Sequence, residues 1–223
     1  MHILIISGGM LEENFIIDYM EKHKFHRILA ADRGLVLCKK LGIIPDLILG
    51  DFDSTTSDAL EYYRSTVPER IRQYPSRKDD TDTELAVSVA MDMGSTEITI
   101  LWANTNGQIR NSLSSPVINM GNIQILKKTL DRGIMTYLVD SHNRIRMTDT
   151  AVTISKEEQF GTYVSMIPFT EKVTGLTLCG FSYPVQDYTL MQGRSVGVSN
   201  EITGQQGEIS LKEGLLLVME SRD

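Results

Sequence analysis

A short apolar run that ends in a glycine and two acids constrains the fold more than any other stretch of the chain. Leu47-Ile48-Leu49 is followed by Gly50, and Asp51 and Asp53 come directly afterwards. Consecutive apolar residues of this kind predict a strand that is buried on both faces, as strands of parallel sheets are. Gly50 lets the backbone turn, and in an extended segment Asp51 and Asp53 point to the same side. Open α/β sheets bind ligands just past the carboxyl ends of such strands.

Asp51 and Asp53 admit two interpretations. Two carboxylates that lie close together repel each other unless a cation or a proton lies between them. Mg²⁺ takes oxygen ligands and often carries substrate phosphates, so the pair predicts a magnesium site. The same residues also suit a turn and a helix cap ahead of residues 57–60. This stretch alone leaves both interpretations open.

The first half of the chain alternates apolar runs with segments of helical pattern. Such alternation predicts βαβ units and a mostly parallel sheet with helices on both faces, which is a Rossmann-like α/β domain. The expected strands cover residues 3–6, 27–31, 47–49, 97–101 and 134–139.

The ends of neighbouring parallel strands should meet at one edge of this sheet. Gly8 and Gly9 follow the first expected strand, and Asp32 and Arg33 follow the second. We therefore expect these four residues near Asp51, in positions where they contact a nucleotide. Gly8-Gly9 is neither a Walker sequence nor the full dinucleotide fingerprint, and such a pair more often marks only a tight turn.

After Asp140 the pattern changes. Short β-like runs recur between turn residues, and they predict an antiparallel sandwich or a small barrel. These runs cover residues 151–154, 163–169, 175–179, 195–198, 208–211 and 215–219. We expect an α/β domain at residues 1–141 and an all-β sandwich domain at residues 142–223.

The overall composition restricts the possible partners. A net charge of −7 argues against a nucleic-acid backbone or an anionic membrane, although an acidic site can hold a nucleotide through a metal. No apolar run is long enough to span a bilayer. Cys38 and Cys179 lie far apart in the sequence, and the first residues lack the pattern of a signal peptide. We therefore expect a cytoplasmic protein without a disulfide framework.

A second acidic stretch, residues 77–84, leads into a predicted helix. Thr81 and Glu84 fit a capping box, and Asp82 falls in the first turn, where the helix dipole favours an anion. Capping does not explain three aspartates within four residues, because they repel one another without a cation. Together with the first acidic pair, the stretch suits Mg²⁺ and a polyphosphate, with Lys78 as a positive charge on the phosphates.

These two stretches, in their order and spacing, resemble the thiamine pyrophosphokinase family. The matching segments cover residues 31–34, 41–47, 50–54, 74–75, 78–82, 164–168, 175–178, 183–184 and 198–201. The resemblance implies a Mg²⁺-dependent enzyme that transfers pyrophosphate from ATP to the hydroxyl of thiamine and releases AMP. It also implies a homodimer of chains with a catalytic α/β domain and a β-sandwich domain, in which thiamine is held between subunits.

The resemblance also implies roles for individual residues. Asp51, Asp53 and Asp82 would be the metal-site carboxylates, and Asp79 would join them as a catalytic residue. Ser199 and Asn200 would belong to the thiamine pocket. The residues expected to contact the nucleotide are Gly8, Gly9, Asp32, Arg33, Lys78, Thr81 and Arg110.

One stretch departs from the family pattern. After the expected strand ending at Leu101, the family has a Gly-rich turn and then Gly-Arg-x-Asp-His, whereas here Trp102 begins a longer polar segment that runs to Pro116. Arg110 is the candidate for the family arginine, and no Asp-His pair follows it. The alternatives are therefore a catalytically impaired thiamine- or nucleotide-binding protein, or another ATP-dependent transferase on the same scaffold.

Overall fold

The structure, a computed structural model, describes residues 1–8, 11–53, 57–75, 81–102 and 115–223. The chain divides into two compact units, Met1–Ser141 (unit 1) and His142–Asp223 (unit 2). Within the described residues, no helix combines the length and the apolar character needed to cross a membrane.

Unit 1 alternates strands and helices around a parallel sheet. Its strands are β1 (His2–Ile6), β2 (Arg27–Ala31), β3 (Leu47–Gly50), β4 (Ile71–Gln73), β5 (Glu97–Leu101) and β6 (Met135–Val139). Its helices are α1 (Glu13–Lys22), α2 (Gly34–Lys40), α3 (Ser57–Thr66), α4 (Asp82–Asp92) and α5 (Ser115–Leu130), and a 3₁₀ turn covers Pro68–Arg70. The strands lie in the order β6-β5-β1-β2-β3-β4, and neighbouring strands are parallel. The predicted α/β unit is confirmed.

The strand β4 was not predicted from the apolar pattern. Ile71 is partly buried, whereas Arg72 and Gln73 are exposed. Within unit 1, β4 lies at the end of the sheet beside β3. A short edge strand that buries little apolar surface leaves no apolar run in the sequence.

The strand order places a topological switch point between β1 and β5. The chain adds β2, β3 and β4 on one side of β1, and then returns to add β5 and β6 on the other side. Ligands of open α/β sheets bind in the crevice outside the carboxyl ends of the strands at such a point. We call the residues that follow β1, β2, β3 and β5 the carboxyl edge: Ser7, Asp32, Asp51 and Trp102.

Unit 2 is an antiparallel β sandwich, as predicted. Its strands are β7 (Asn143–Thr148), β8 (Val152–Ser155), β9 (Tyr163–Pro168), β10 (Lys172–Cys179), β11 (Val185–Met191), β12 (Asn200–Glu201), β13 (Gln206–Ser210) and β14 (Leu216–Ser221). In one sheet of this unit the order is β12-β9-β14-β7, and in the other it is β11-β10-β13-β8. Buried residues from both sheets form one core, including Val164, Met166 and Val218 from the first and Val173, Leu178 and Ile209 from the second.

One predicted strand of unit 2 is wrong. Residues 195–198 lie in a turn instead of a strand, and Gly197 at φ +96° and Ser199 at φ +55° take left-handed backbone there. Conversely, the strand β11 was not predicted, since most of its residues are exposed and give no apolar alternation.

Both cysteines are free thiols, and Cys38 lies buried in α2. Burial raises the pKa of the Cys38 thiol to about 12. The thiol therefore stays protonated at neutral pH and packs as a small apolar side chain rather than acting as a nucleophile.

Gly34 brings the start of α2 against the end of β1. A Cβ atom on Gly34 would lie 2.1 Å from the carbonyl oxygen of Ile6 and 2.8 Å from its carbonyl carbon. Both atoms belong to the backbone of a buried strand, which cannot move aside as a flexible side chain can. Gly34 therefore determines how closely the turn after β2 approaches the end of β1.

Gly34→Ala should destabilise the protein by about 3 kcal/mol, because the added methyl group forces two backbone segments apart in a close-packed region. Urea unfolding measures this loss. Gly121→Ala is the matched control, since a Cβ there meets nothing within 4 Å. Because Gly121 lies in the helix α5, Gly121→Ala should leave the free energy of unfolding unchanged or raise it by about 0.5–1 kcal/mol. Equal effects of the two substitutions would show that the contact at Gly34 is not tight.

Candidate functional site

Three carboxylates meet at the carboxyl edge of unit 1. Asp32 follows β2, Asp51 follows β3, and Asp82 is the first residue of α4. One oxygen from each lies within 4.8 Å of the other two, and all three residues are partly exposed. We call Asp32, Asp51 and Asp82 the acidic group.

Local backbone geometry places Asp32. Its φ of +41° lies in the left-handed region, which aspartate tolerates better than most residues do. The Asp32 N–H donates to the carbonyl of Leu49 at 2.8 Å, so the turn after β2 is bonded to β3. A Cβ on Gly50 would lie 3.3 Å from the Asp32 Cα, so the glycine permits this close approach.

Asp51 and Asp53 both follow β3, but only Asp51 belongs to the acidic group. Phe52 is buried and has a φ of +64°, so the chain is not extended there. The Asp53 N–H donates to Oδ1 of Asp51 at 3.0 Å, which forms a tight turn. Asp53 is exposed and is not part of the acidic group. Its place in a metal site stays a prediction.

The capping box predicted for the start of α4 is confirmed and orients Asp82. The Glu84 N–H donates to Oγ1 of Thr81 at 3.2 Å, and the Thr81 N–H donates to Oε2 of Glu84 at 3.4 Å. Asp82 therefore lies in a capped first turn, where the helix dipole favours its negative charge. The predicted contact of Thr81 with a nucleotide stays a prediction.

The structure also places other predicted nucleotide contacts at this edge. Gly8 follows β1 closely, and a Cβ on it would lie 2.8 Å from the Cβ of Arg33. Gly8 and Arg33 are therefore neighbours, and Arg33 is exposed. The remaining predicted site residues of unit 1 lie outside the described residues: Gly9, Lys78, Asp79 and Arg110.

The acidic group suits a magnesium ion. Oxygen atoms bound to one Mg²⁺ at about 2.1 Å lie at most about 4.2 Å apart, so separations within 4.8 Å need only small side-chain rotations. Three carboxylates at this distance also repel one another, which a divalent cation would offset. Asp32 was predicted as a nucleotide contact and not as a metal ligand. Its position after β2, the neighbour of β3, was the signal that could have placed it in the acidic group.

Unit 2 contains a pocket of about 290 Å³, near the lower end of the usual range for small-molecule sites. Most of its lining is apolar or aromatic, and no charged side chain lines it within the described residues. The lining residues are Leu176, Leu178, Tyr183, Val185, Tyr188, Leu190, Ser195, Val196, Gly197, Val198 and Asn200.

Asn200 lines this pocket, whereas Ser199 does not. Oδ1 of Asn200 accepts from the N–H of Tyr183 at 3.0 Å, and its Nδ2 donates to the carbonyl of Tyr183 at 2.9 Å. Ser199 instead donates its backbone N–H to Oγ of Ser165 at 2.9 Å. The buried Asn200 amide therefore holds the backbone that carries Tyr183 at the pocket.

The fold and the acidic group define a class, a two-domain enzyme with a ligand site at the carboxyl edge of a parallel sheet. Two family models match the chain: the thiamin pyrophosphokinase catalytic domain over residues 18–109, and the thiamin pyrophosphokinase vitamin B1 binding domain over residues 149–216. The chain belongs to the thiamine pyrophosphokinase family.

Individual relatives agree with this assignment. The thiamine pyrophosphokinase of Bacillus subtilis (strain 168) is 31% identical over 224 residues, which cover 99% of each chain. A crystal structure of thiamine pyrophosphokinase from Bacillus subtilis has a TM-score of 0.85 and 32% identity over 100% of both chains. One from Geobacillus thermodenitrificans has a TM-score of 0.82 and 28% identity, over 100% of this chain and 98% of that one. The predicted enzyme class, thiamine diphosphokinase, is confirmed.

Asp82→Asn should remove most of the stabilisation that Mg²⁺ gives to the folded protein. With Mg²⁺ at about ten times its dissociation constant, the wild type should gain about 1.4 kcal/mol and roughly 3–6 °C in Tm. The variant loses one of three charged ligands, so its gain should be much smaller. Thermal unfolding with and without Mg²⁺ measures both.

Asp92→Asn is the matched control, because Asp92 is exposed at the other end of the same helix. It should keep the full Mg²⁺-dependent gain in Tm. If Asp82→Asn keeps that gain as well, Asp82 is only a helix-dipole residue.

Proposed function

We propose that the chain transfers the pyrophosphate group of ATP to the hydroxyl of thiamine in a Mg²⁺-dependent reaction that gives thiamine diphosphate and AMP. The acidic group at the carboxyl edge of unit 1 carries this proposal. Its oxygens suit a hard cation, and its position past the ends of β2 and β3 suits a phosphate-bearing ligand. Membership of the thiamine pyrophosphokinase family supports the choice of substrates.

In this proposal, Asp32, Asp51 and Asp82 hold the metal. A bound Mg²⁺ supplies charge neutralisation at the phosphates, as in other phosphoryl-type transfers. The exposed Asp53 stays a proposed site carboxylate beside the acidic group. Arg33 and Gly8 are neighbours at the same edge, and we assign the guanidinium and the glycine backbone to the phosphates.

The reaction forms one bond and breaks one bond. The hydroxyl oxygen of thiamine attacks the β-phosphorus of ATP, and the bond from that phosphorus to the oxygen bridging to the α-phosphorus breaks. AMP leaves with the bridging oxygen, and a carboxylate of the site accepts the hydroxyl proton. Most of the protein's contribution is therefore the positioning of the two substrates and of charge around the phosphates.

The test is a reaction mixture of the protein with ATP, thiamine and MgCl₂, analysed for nucleotide and thiamine products. Thiamine diphosphate and AMP should form in equal amounts, and Asp82→Asn should reduce turnover by about two orders of magnitude or more. Asp92→Asn should react as the wild type does. Formation of ADP would indicate another ATP-dependent transferase, and saturable thiamine binding without product would indicate a binding protein. Either result would overturn the proposal.

We assign the ring system of thiamine to the pocket of unit 2. The apolar lining suits the faces of the aromatic rings, and the tyrosine rings can stack on them or face the thiazolium cation. Tyr183 is 72% exposed, although its backbone is clamped by Asn200, so its ring is available to a ligand. In this proposal Asn200 shapes the pocket, and Ser199 stays a proposed thiamine contact.

Val198→Arg should raise KM for thiamine by about tenfold or more, because it places an unpaired positive charge beside a cationic substrate. Val198 lines the pocket and is exposed, so the fold should tolerate the change. KM for ATP should stay within about twofold of the wild-type value, because the acidic group is untouched. Steady-state kinetics with each substrate varied in turn measures both constants.

Ile167→Arg is the matched control for Val198→Arg. Ile167 is also an exposed apolar residue of unit 2, but it does not line the pocket. Its replacement should leave both KM values nearly unchanged. Equal values of KM for thiamine in the two variants would place the thiamine site elsewhere.

We further propose that the protein is a homodimer, on the basis of the family resemblance. Sedimentation equilibrium at micromolar concentration should give the mass of two chains, and the mass of one chain would contradict this. The cytoplasmic location likewise stays a proposal, supported by the two free thiols.

A further inference from the structure

A pair of buried hydroxyls joins the carboxyl edge to the start of α4. Oγ of Ser7 and Oγ1 of Thr83 lie 2.6 Å apart, which is a short hydrogen bond in which either oxygen can donate. Ser7 follows β1 and is 9% exposed, and Thr83 is the second residue of α4 and is 8% exposed. The bond therefore joins residues far apart in sequence and is shielded from water.

Both partners of this bond are held in place. The Ser7 N–H donates to the carbonyl of Leu101, the last residue of β5, at 3.2 Å. Ser7 thus lies at the topological switch point, where it joins the end of β1 to the end of β5. Thr83 lies in the turn that the capping box of Thr81 and Glu84 closes. The backbone on both sides of the hydroxyl pair is therefore fixed, by a strand end at Ser7 and by a capped helical turn at Thr83.

Asp82 lies directly before Thr83 and belongs to the acidic group. Repulsion from Asp32 and Asp51 pushes the Asp82 carboxylate, and with it the first turn of α4, away from the carboxyl edge. The hydroxyl pair acts against this displacement, because it ties the next residue of the same turn to the sheet. A displacement of about 1 Å is enough to disturb a site built from converging ligands.

We propose that Ser7 and Thr83 are positioning residues that hold Asp82 at the distance from Asp32 and Asp51 at which the three carboxylates share one divalent cation. This inference rests on the metal site of the proposed function. Its consequence is that loss of the hydroxyl pair weakens cation binding, although neither hydroxyl is itself a member of the acidic group.

The experiment titrates Mn²⁺ into the full-length protein without ATP or thiamine, and follows free Mn²⁺ by electron paramagnetic resonance. Thr83→Val removes the hydroxyl at nearly constant volume and should weaken Mn²⁺ binding by about tenfold, the effect typical of groups that orient metal ligands. Thr83→Ser keeps a hydroxyl and should restore binding to within about twofold. Ser88→Ala is the control, since Ser88 lies in α4 and its hydroxyl bonds to Glu84 and Lys128 instead.

The double variant Ser7→Ala/Thr83→Val separates positioning from stability. Thr83→Val alone leaves the Ser7 hydroxyl buried without this partner, whereas the double variant removes both polar groups and should recover much of the lost stability. Mn²⁺ binding should stay weak in the double variant, because the hydrogen bond between Ser7 and the first turn of α4 is still missing. If the double variant or Thr83→Val binds Mn²⁺ as tightly as the wild type, the hydroxyl pair is only structural and the inference is overturned.

Asp82→Asn in the same titration distinguishes failure of this inference from failure of the proposed metal site. Loss of binding in Asp82→Asn together with normal binding in Thr83→Val overturns only the positioning role. Wild-type binding in Asp82→Asn, or no binding in the wild type, overturns the metal site and the positioning role together.

Discussion

Mutual repulsion among Asp32, Asp51 and Asp82 is the constraint on which the geometry of unit 1 depends. Three carboxylates with oxygens within 4.8 Å raise the free energy of the fold unless charge is neutralised or the backbone holds them there. The backbone does hold them: the turn after β2 is bonded to β3, a tight turn follows Asp51, and a capped helix begins at Asp82. These contacts fix the backbone at the three positions, and the bond from the Asp53 N–H also orients the Asp51 carboxylate, so the acidic group is prearranged at a spacing that suits a cation.

The two units present different chemistry. Unit 1 offers charge at the edge of a rigid parallel sheet, which suits phosphates, whereas unit 2 offers an uncharged pocket lined by aliphatic and aromatic side chains. A transferase that joins a polyphosphate to an organic ring system needs both environments, since each would bind the other substrate poorly. The α/β unit therefore carries the charged groups, and the β sandwich carries the apolar pocket.

Much of the fold could be predicted from the sequence, because strands buried on both faces leave continuous apolar runs and capped helices leave polar signatures. The central strands of unit 1 and the capping box at Thr81 are examples. Torsion angles leave no such trace. An extended backbone predicts Asp53 on the same side as Asp51, whereas the positive φ of Phe52 bends the chain between them. The sequence predicts Asp32 near Asp51, but as a nucleotide contact, because the oxygen-to-oxygen distances of the acidic group follow from turn geometry after β2 and β3 that no sequence pattern records.

The left-handed backbone of Asp32 limits which side chains that position can accept. Aspartate and asparagine tolerate this conformation, whereas longer or branched side chains are strained by it. Asparagine can therefore remove the charge without disturbing the turn, while glutamate retains the charge but fits neither the backbone nor the reach of the site. A single substitution at position 32 can thus separate the charge of the acidic group from the backbone conformation that supports it.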